Sequence, residues 1–291
     1  CDEGTVLLRE NCRGVRWECT AGEMAALRAL EELGRIPELR ERLVRLTEEA
    51  DALDDRYAQV TFSLYRAFWT IAAGDAAGAR ALSRSGLARW DHPAEHLQHL
   101  YGLRIEAFCD LYEGNPTSAW QRVLETWPAI RDAHLLRHPV LRTDAYGLRA
   151  CTALALATAR PGEDELLRDA RRCARVLDRA GRGDSVATAA LMRAGIASLR
   201  GDRTRAASLL GVAEHGYLAA DMPLHASYAR RRRAELAGGD APADAIRDVD
   251  RALVDRGIAE PATWLGIVAP GYPSVRLSLI HISEPTRLRR I

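Results

Sequence analysis

Six glycines, Gly34, Gly74, Gly114, Gly162, Gly201 and Gly239, each close an apolar run with helical spacing, and they recur at intervals of 40, 40, 48, 39 and 38 residues. A period of that size marks a chain built from supersecondary units that cannot bury an apolar face alone and must stack to do so. Glycine just past a helix takes the left-handed backbone that other residues resist. In Gly74-Asp75, Gly114-Asn115, Gly201-Asp202 and Gly239-Asp240 the next residue can cap the helix that follows. The sequence therefore predicts turns between paired helices, repeated along the chain.

A second register runs beside the first. Seven residues before four successive glycines stand Ala67, Ala107, Ala155 and Ala194, and five residues after three of them stand Ala79, Ala119 and Ala206. Small side chains at such places let two helix axes approach to roughly 8–10 Å. This spacing resembles the small positions of the tetratricopeptide consensus. The departures are a period near 40 instead of about 34, a weakly kept aromatic pattern, and a last unit that slips by one residue at Ala245.

Between the glycines the apolar residues recur at three- and four-residue spacing, as in Leu39, Leu43, Leu46 and in Leu166, Leu167, Ala170, Ala174, Leu177, which is the period of a helix and not of a strand. The pattern predicts helices at 16–33, 36–52, 54–73, 76–90, 94–113, 116–135, 139–159, 163–181, 184–200, 203–220, 222–238 and 241–256. The expected fold is all-α, a tetratricopeptide-like solenoid of antiparallel helix pairs in about six repeats. Residues 1–14 read as the remnant of a truncated repeat, 15–258 as the solenoid, and 259–273 as a C-terminal cap carried by Trp264, Leu265 and Ile267 before the Pro270-Gly271 turn. Residues 274–291 read as a disordered tail.

Composition narrows the function. The chain has 291 residues, 47% of them hydrophobic and 28% charged, enough apolar material for a core. Its 41 basic residues include no lysine, and they face 40 acidic ones for a formal charge of +1. There is no positive field to hold a phosphate backbone by counterion release, so nucleic acid is not an expected partner. The arginine bias points to a GC-rich bacterial genome. Without lysine there is no P-loop lysine, no kinase strand lysine and no Schiff-base amine. Cys1, Cys12, Cys19, Cys109, Cys151 and Cys173 lack the spacing of a zinc or redox pair and read as small buried residues of a reduced cytoplasm. No apolar stretch approaches the roughly 18 residues that span a bilayer, so a membrane is not an expected partner, and no secretory signal is visible. A start at Cys1 suggests a fragment of a longer chain. The last fifteen residues, Leu277 to Ile291, closely resemble the translation of a sequencing adapter and are expected to encode nothing biological. They hold Arg287, Arg289 and Arg290 against Glu284, so without them the charge is −1.

Candidate chemistry is sparse. His92, His96 and His99, and also His134 and His138, repeat at ligand spacing on a helix. Pro93 interrupts the first set and no carboxylate completes either, so packing or hydrogen bonding is the expected role. Arg230 to Arg233 form a basic run, but four consecutive helical residues point four ways, and a solvated face is expected. No glycine-rich phosphate loop, nucleophile elbow or acid and base pair stands out. No cofactor, metal or catalytic residue is therefore assigned. Phe68, Trp69, Trp90, Tyr101, Phe108, Trp120 and Trp127 cluster in the central units, most of them as core. In the tetratricopeptide register the first helix of each pair lines a concave groove, where Tyr101, Arg104 and Arg149 are the candidate peptide-binding residues.

Three stretches carry a broader resemblance: LRENCRGVRWE (8–18), ARWDHPAEHLQHLYGLRIEAFCDLYEGN (88–115) and RGIAEPATWLGIVAPGY (256–272). Together they make the chain up to about Pro273 resemble the C-terminal helical-repeat region of large bacterial serine/threonine protein kinases of the eukaryotic type. The resemblance implies a cytoplasmic region that senses, scaffolds or regulates by binding protein or peptide segments, including other domains of its own parent chain. It carries no kinase residue, since no kinase signature has a counterpart here. A repeat domain of a signalling ATPase or of a transcription regulator is the alternative.

Overall fold

The computed structural model describes residues 1–90, 96–238 and 240–273, with the side chains of 240 and 241 left aside. Among the described residues there are fourteen α-helices and no strand, so the fold is all-α as expected. The helices are α1 (Asp2–Asn11), α2 (Arg16–Glu32), α3 (Ile36–Ala52), α4 (Arg56–Ala72), α5 (Ala76–Leu87), α6 (Leu97–Tyr112) and α7 (Pro116–Asp132). After a 3-10 turn at Leu135–Arg137 come α8 (Pro139–Ala159), α9 (Asp164–Arg179), α10 (Gly183–Leu199), α11 (Arg203–Ala219), α12 (Pro223–Ala237), α13 (Asp240–Asp255) and α14 (Pro261–Val268). None of the described helices is long and apolar enough to cross a membrane.

The turns follow the glycine register. Gly34, Gly74, Gly114, Gly162 and Gly201 all have positive φ, while Gly239 lies outside the described residues. Capping follows at two of the expected places, where the Gly78 N–H donates to Asp75 at 2.7 Å and the Arg205 N–H to Asp202 at 3.0 Å, whereas Asn115 makes no side-chain cap bond. Each such bond satisfies one of the donors a helix start leaves open.

Helices adjacent in sequence pack on one another, α10 on α11 most extensively, while α4, α6, α8 and α10 also pack next-but-one along a continuous row. Helix α12 comes round to pack against α2, so the even-numbered helices face a common interior. Ala67, Ala107, Ala194, Ala79, Ala119 and Ala206 are all at 0% exposure, which is where close crossings need small side chains.

Ala155 departs from that register and is only half-buried. Helices α2, α4, α6 and α10 end two residues before their glycine, but α8 ends three before Gly162. One extra residue turns a helix face by about 100°, so the place held elsewhere by alanine is held in α8 by buried Leu154. The facing helix compensates with Gly195, whose added Cβ would stand 3.3 Å from Leu154 Cδ1.

Residues 1–14 hold a helix, α1, in which Thr5 is the only buried residue and Val6 and Leu7 face solvent. Other expectations are corrected. Cys1 and Cys12 are exposed, whereas the other four cysteines are buried. The arginine run is not a solvated face: Arg231 and Arg232 are buried. Arg230 and Arg233 pair with Glu214 of α11. Arg231 pairs with Asp250 of α13 and with Glu235, and Arg232 turns inward. The adapter-like stretch 277–291 lies outside the described residues.

Candidate functional site

The segment after α13 was expected to cap the last helix. It does touch α13, but α14 packs mainly on α6 and α8, in the interior. Its apolar run leaves Trp264, Leu265 and Ile267 almost without solvent exposure. Trp264 sits edge-on to Phe68 (5.6 Å) and Phe108 (6.2 Å), stacks at 6.5 Å on Trp69, and donates its indole N–H to Tyr228 Oη at 3.1 Å. Such ring clusters contribute beyond the area they bury, and the indole nitrogen finds the partner it needs.

The backbone of the segment is held along its length. Ala259 N–H donates to the Ala72 carbonyl at the end of α4 (2.8 Å), and Arg232 Nε of α12 donates to the Ala269 carbonyl (2.8 Å). Arg232 also lies 4.9 Å over the ring of Tyr272. Gly271 crosses Gly195 of α10 backbone to backbone: a Cβ on Gly195 would come within 2.5 Å of the Pro270 carbonyl, and one on Gly271 within 2.7 Å of Gly195 Cα. Residues 259–273 thus form a strap that touches α4, α6, α8, α10 and α12 in turn.

Beneath the strap a cavity of about 130 Å³ remains, lined from every even-numbered helix and closed on one side by Trp264 and Val268. Its polar content is concentrated in an ionic cluster. Arg28 makes a two-pronged pair with Asp144 at 2.8 and 3.1 Å and another with Glu32. Arg104 lies 3.9 Å over the ring of Phe68, and among the described residues its one polar contact is with Glu31 at 3.5 Å. Burial pushes the Glu31 carboxyl above its usual range in spite of Arg104 and Arg28. His225 of α12 lies between Tyr217 and Tyr228. Burial, reinforced by the charges of Arg28 and Arg104, presses its pKa down to about 3, so it is neutral at pH 7.

Of the candidate groove residues, Arg104 lines this cavity and Tyr101, one turn away on α6, packs edge-on against Tyr65 at 5.8 Å. Burial pushes the Tyr101 hydroxyl up to about 12. Arg149 is placed elsewhere. Its Nε and Nη2 both donate to Asp169 of α9 at 2.8 Å, and it lies 4.5 Å over Trp127 of α7. The three do not share a surface, and the extra residue at the end of α8 is the reason: it brings Leu148 and Cys151 to the interior in place of Arg149.

Of the histidine candidates, His96 and His99 meet at a helix start, while the side chains of His134 and His138 are exposed. His99 Nδ1 accepts the His96 backbone N–H at 2.9 Å at the start of α6, and His134 occupies a left-handed turn; His92 lies outside the described residues. No cluster of three or more metal-ligating side chains occurs among the described residues. A larger hollow of about 380 Å³ opens between α1, α2 and α3, but α1, which forms one wall, is itself almost fully exposed. Sequence reasoning missed Arg28, Glu31, Asp144 and His225, because nothing local distinguishes a charge facing an enclosed interior from one facing water. Comparison with protein-family models, with curated proteins and with solved structures gave no match.

Proposed function

We propose that the chain is an interaction module, a tetratricopeptide-like solenoid of helix pairs whose inner row binds short protein segments, in the manner of the regulatory repeats of a bacterial serine/threonine protein kinase. One observation carries the reading. The inner row already holds a segment of peptide length, residues 259–273, by the means that peptide grooves use: one deeply seated aromatic anchor, side-chain hydrogen bonds to main-chain carbonyls, and a glycine contact no larger residue can make. The kinase context is supported by the resemblance of 8–18, 88–115 and 256–272. The strap belongs to the third of these stretches, so regulation would consist of exchange between the strap and a segment from another domain of the parent chain.

The test is competition. A labelled synthetic peptide of residues 259–273 is titrated into the intact chain and into a chain whose own strap is weakened by Trp264→Ala. Binding should be at least tenfold tighter to the variant. Equal or absent binding to a folded variant would refute the reading.

A further inference from the structure

The interior cavity holds more than packing accounts for. Gly147 lies in the middle of α8, where glycine is the poorest helix former after proline. Gly195 is explained by its close approach to Pro270, whereas Gly147, like Gly4 and Gly266, has no close neighbour, and of these three only Gly147 lines the cavity. A Cβ on Gly147 would meet nothing nearer than Thr188 Cγ2 at 4.0 Å. No steric requirement excludes a side chain there, and the effect of its absence is to keep the cavity open.

That space, about 130 Å³, is roughly ten times the ~10–15 Å³ that one ordered water needs. Its walls combine apolar side chains, among them Phe68, Leu191 and Met192, with polar groups that are not internally matched. His225 Nδ1 and Trp69 Nε1 are buried without a hydrogen-bond partner among the described residues. The guanidinium of Arg104 carries five N–H donors and makes a single contact at the outer limit of hydrogen bonding. Asp144 and Glu32 are taken up by Arg28 and Asp184 by Arg182, which leaves Glu31 as the one carboxylate paired with Arg104 among the described residues. The charges of the cluster otherwise pair off, and Arg104 is the cation held most loosely.

We propose that this cavity binds a small organic monocarboxylate, its carboxylate on Arg104 and its apolar body against Phe68, Leu191 and Met192 beside Gly147. Arginine suits the role because its fork matches a carboxylate's two oxygens. The inference goes beyond segment binding and shares with it only the strap, whose Trp264 and Val268 form one wall of the cavity.

The probes are sodium benzoate and sodium butyrate, compared with benzamide and butyramide, which keep the shape and lack the charge. Each is titrated into the intact chain by calorimetry at matched ionic strength and pH 7, up to about 20 mM, the range in which ligands this small show binding. At least one carboxylate should bind saturably at one site per chain, and its amide at least tenfold more weakly. Arg104→Met should weaken carboxylate binding at least tenfold. Gly147→Leu, which fills the cavity and leaves every polar group in place, should abolish binding while helix content and melting temperature are kept or raised. If Arg104→Met does not fold, Gly147→Leu carries the test alone. The proposal is overturned if neither carboxylate saturates, if amides bind as well as acids, or if folded Gly147→Leu binds like the parent, which would place the ligand on surface arginines. Segment binding by the strap peptide is read separately, so failure here leaves that reading standing.

Discussion

Replacing Gly195 by alanine sets two effects of opposite sign against each other. In helix α10 alone the change is favourable by about 0.8–1 kcal/mol, the difference in helix propensity. Against the strap it is not. The new Cβ would stand 2.5 Å from the Pro270 carbonyl oxygen and 3.6 Å from Gly271 Cα, and an ordinary contact requires about 1 Å more than the first of these. Both sides are backbone, so no rotamer change relieves the clash, and overpacking of this kind costs about 1–3 kcal/mol. The strap can avoid that cost by lifting residues 269–273, losing the Arg232–Ala269 bond and the Arg232–Tyr272 contact. At about 1.4 kcal/mol per factor of ten, the open population of that stretch should rise between about fivefold and a hundredfold, while α10 is held as firmly as before. Hydrogen exchange read by mass spectrometry resolves the two: faster exchange in 259–273, unchanged or slower exchange in 183–199. Unchanged protection of the strap together with a raised melting temperature would refute the close crossing of Gly195 and Gly271.

Five further outcomes follow from the packing and the charges. Ala107→Leu, at a fully buried crossing, should cost about 1–3 kcal/mol in denaturant unfolding, and an unchanged midpoint would mean the small-residue register is accidental. Asp169→Ala leaves Arg149 without the carboxylate that holds both its donors. Burial works against the Asp169 charge, yet the Arg149 hydrogen bonds and charge hold its pKa below the usual range, so the loss should be about 2–4 kcal/mol. Asp244→Ala at the exposed pair with Arg247 should change stability by under about 0.5 kcal/mol. His225 is held neutral when folded and takes a proton near pH 6.5 when unfolded. Stability is therefore full above pH 6.5 and falls as pH drops toward 3, by up to about 1.4 kcal/mol per pH unit. Glu31, raised by burial, acts in the opposite direction, so the measurement is the difference between parent and His225→Phe, whose pH slope between 4 and 6.5 should be shallower. Amides of residues 1–14 should exchange much faster than those of α6 to α10, because Thr5 is the sole buried side chain of α1; equal protection would contradict the exposed edge.

The helices were legible because two local signals coincide along this chain, a 3.6-residue apolar period and a glycine that ends it. Observed ends fall within a few residues of the expected ones, the largest shifts being at α5, α6 and α7. What lay beyond a local signal was misplaced. A glycine register locates turns but does not fix helix phase, so one residue more between α8 and Gly162 rotated Arg149 out to α7 and α9 and put Leu154 where alanine was expected. The strap shows the same limit over a longer range. Glu-Pro-Ala-Thr-Trp-Leu reads as part of a cap on the last helix, and nothing within it tells that Trp264 will meet Phe68, nearly two hundred residues earlier. Nor does sequence separate Arg28 and Arg104, which face the interior, from the many arginines that face water.

Exchange of the strap in trans is the measurement that decides whether the inner row is a binding surface. The 291-residue chain carrying Trp264→Ala and Gly271→Val keeps every inner-row residue and weakens only its own strap. Titration with a synthetic peptide of residues 259–273 should give saturable binding at one site and restore the melting temperature toward that of the parent chain. A double variant that unfolds and is not rescued, or one that folds and ignores the peptide, would show that the segment is part of the core and not an occupant of a groove.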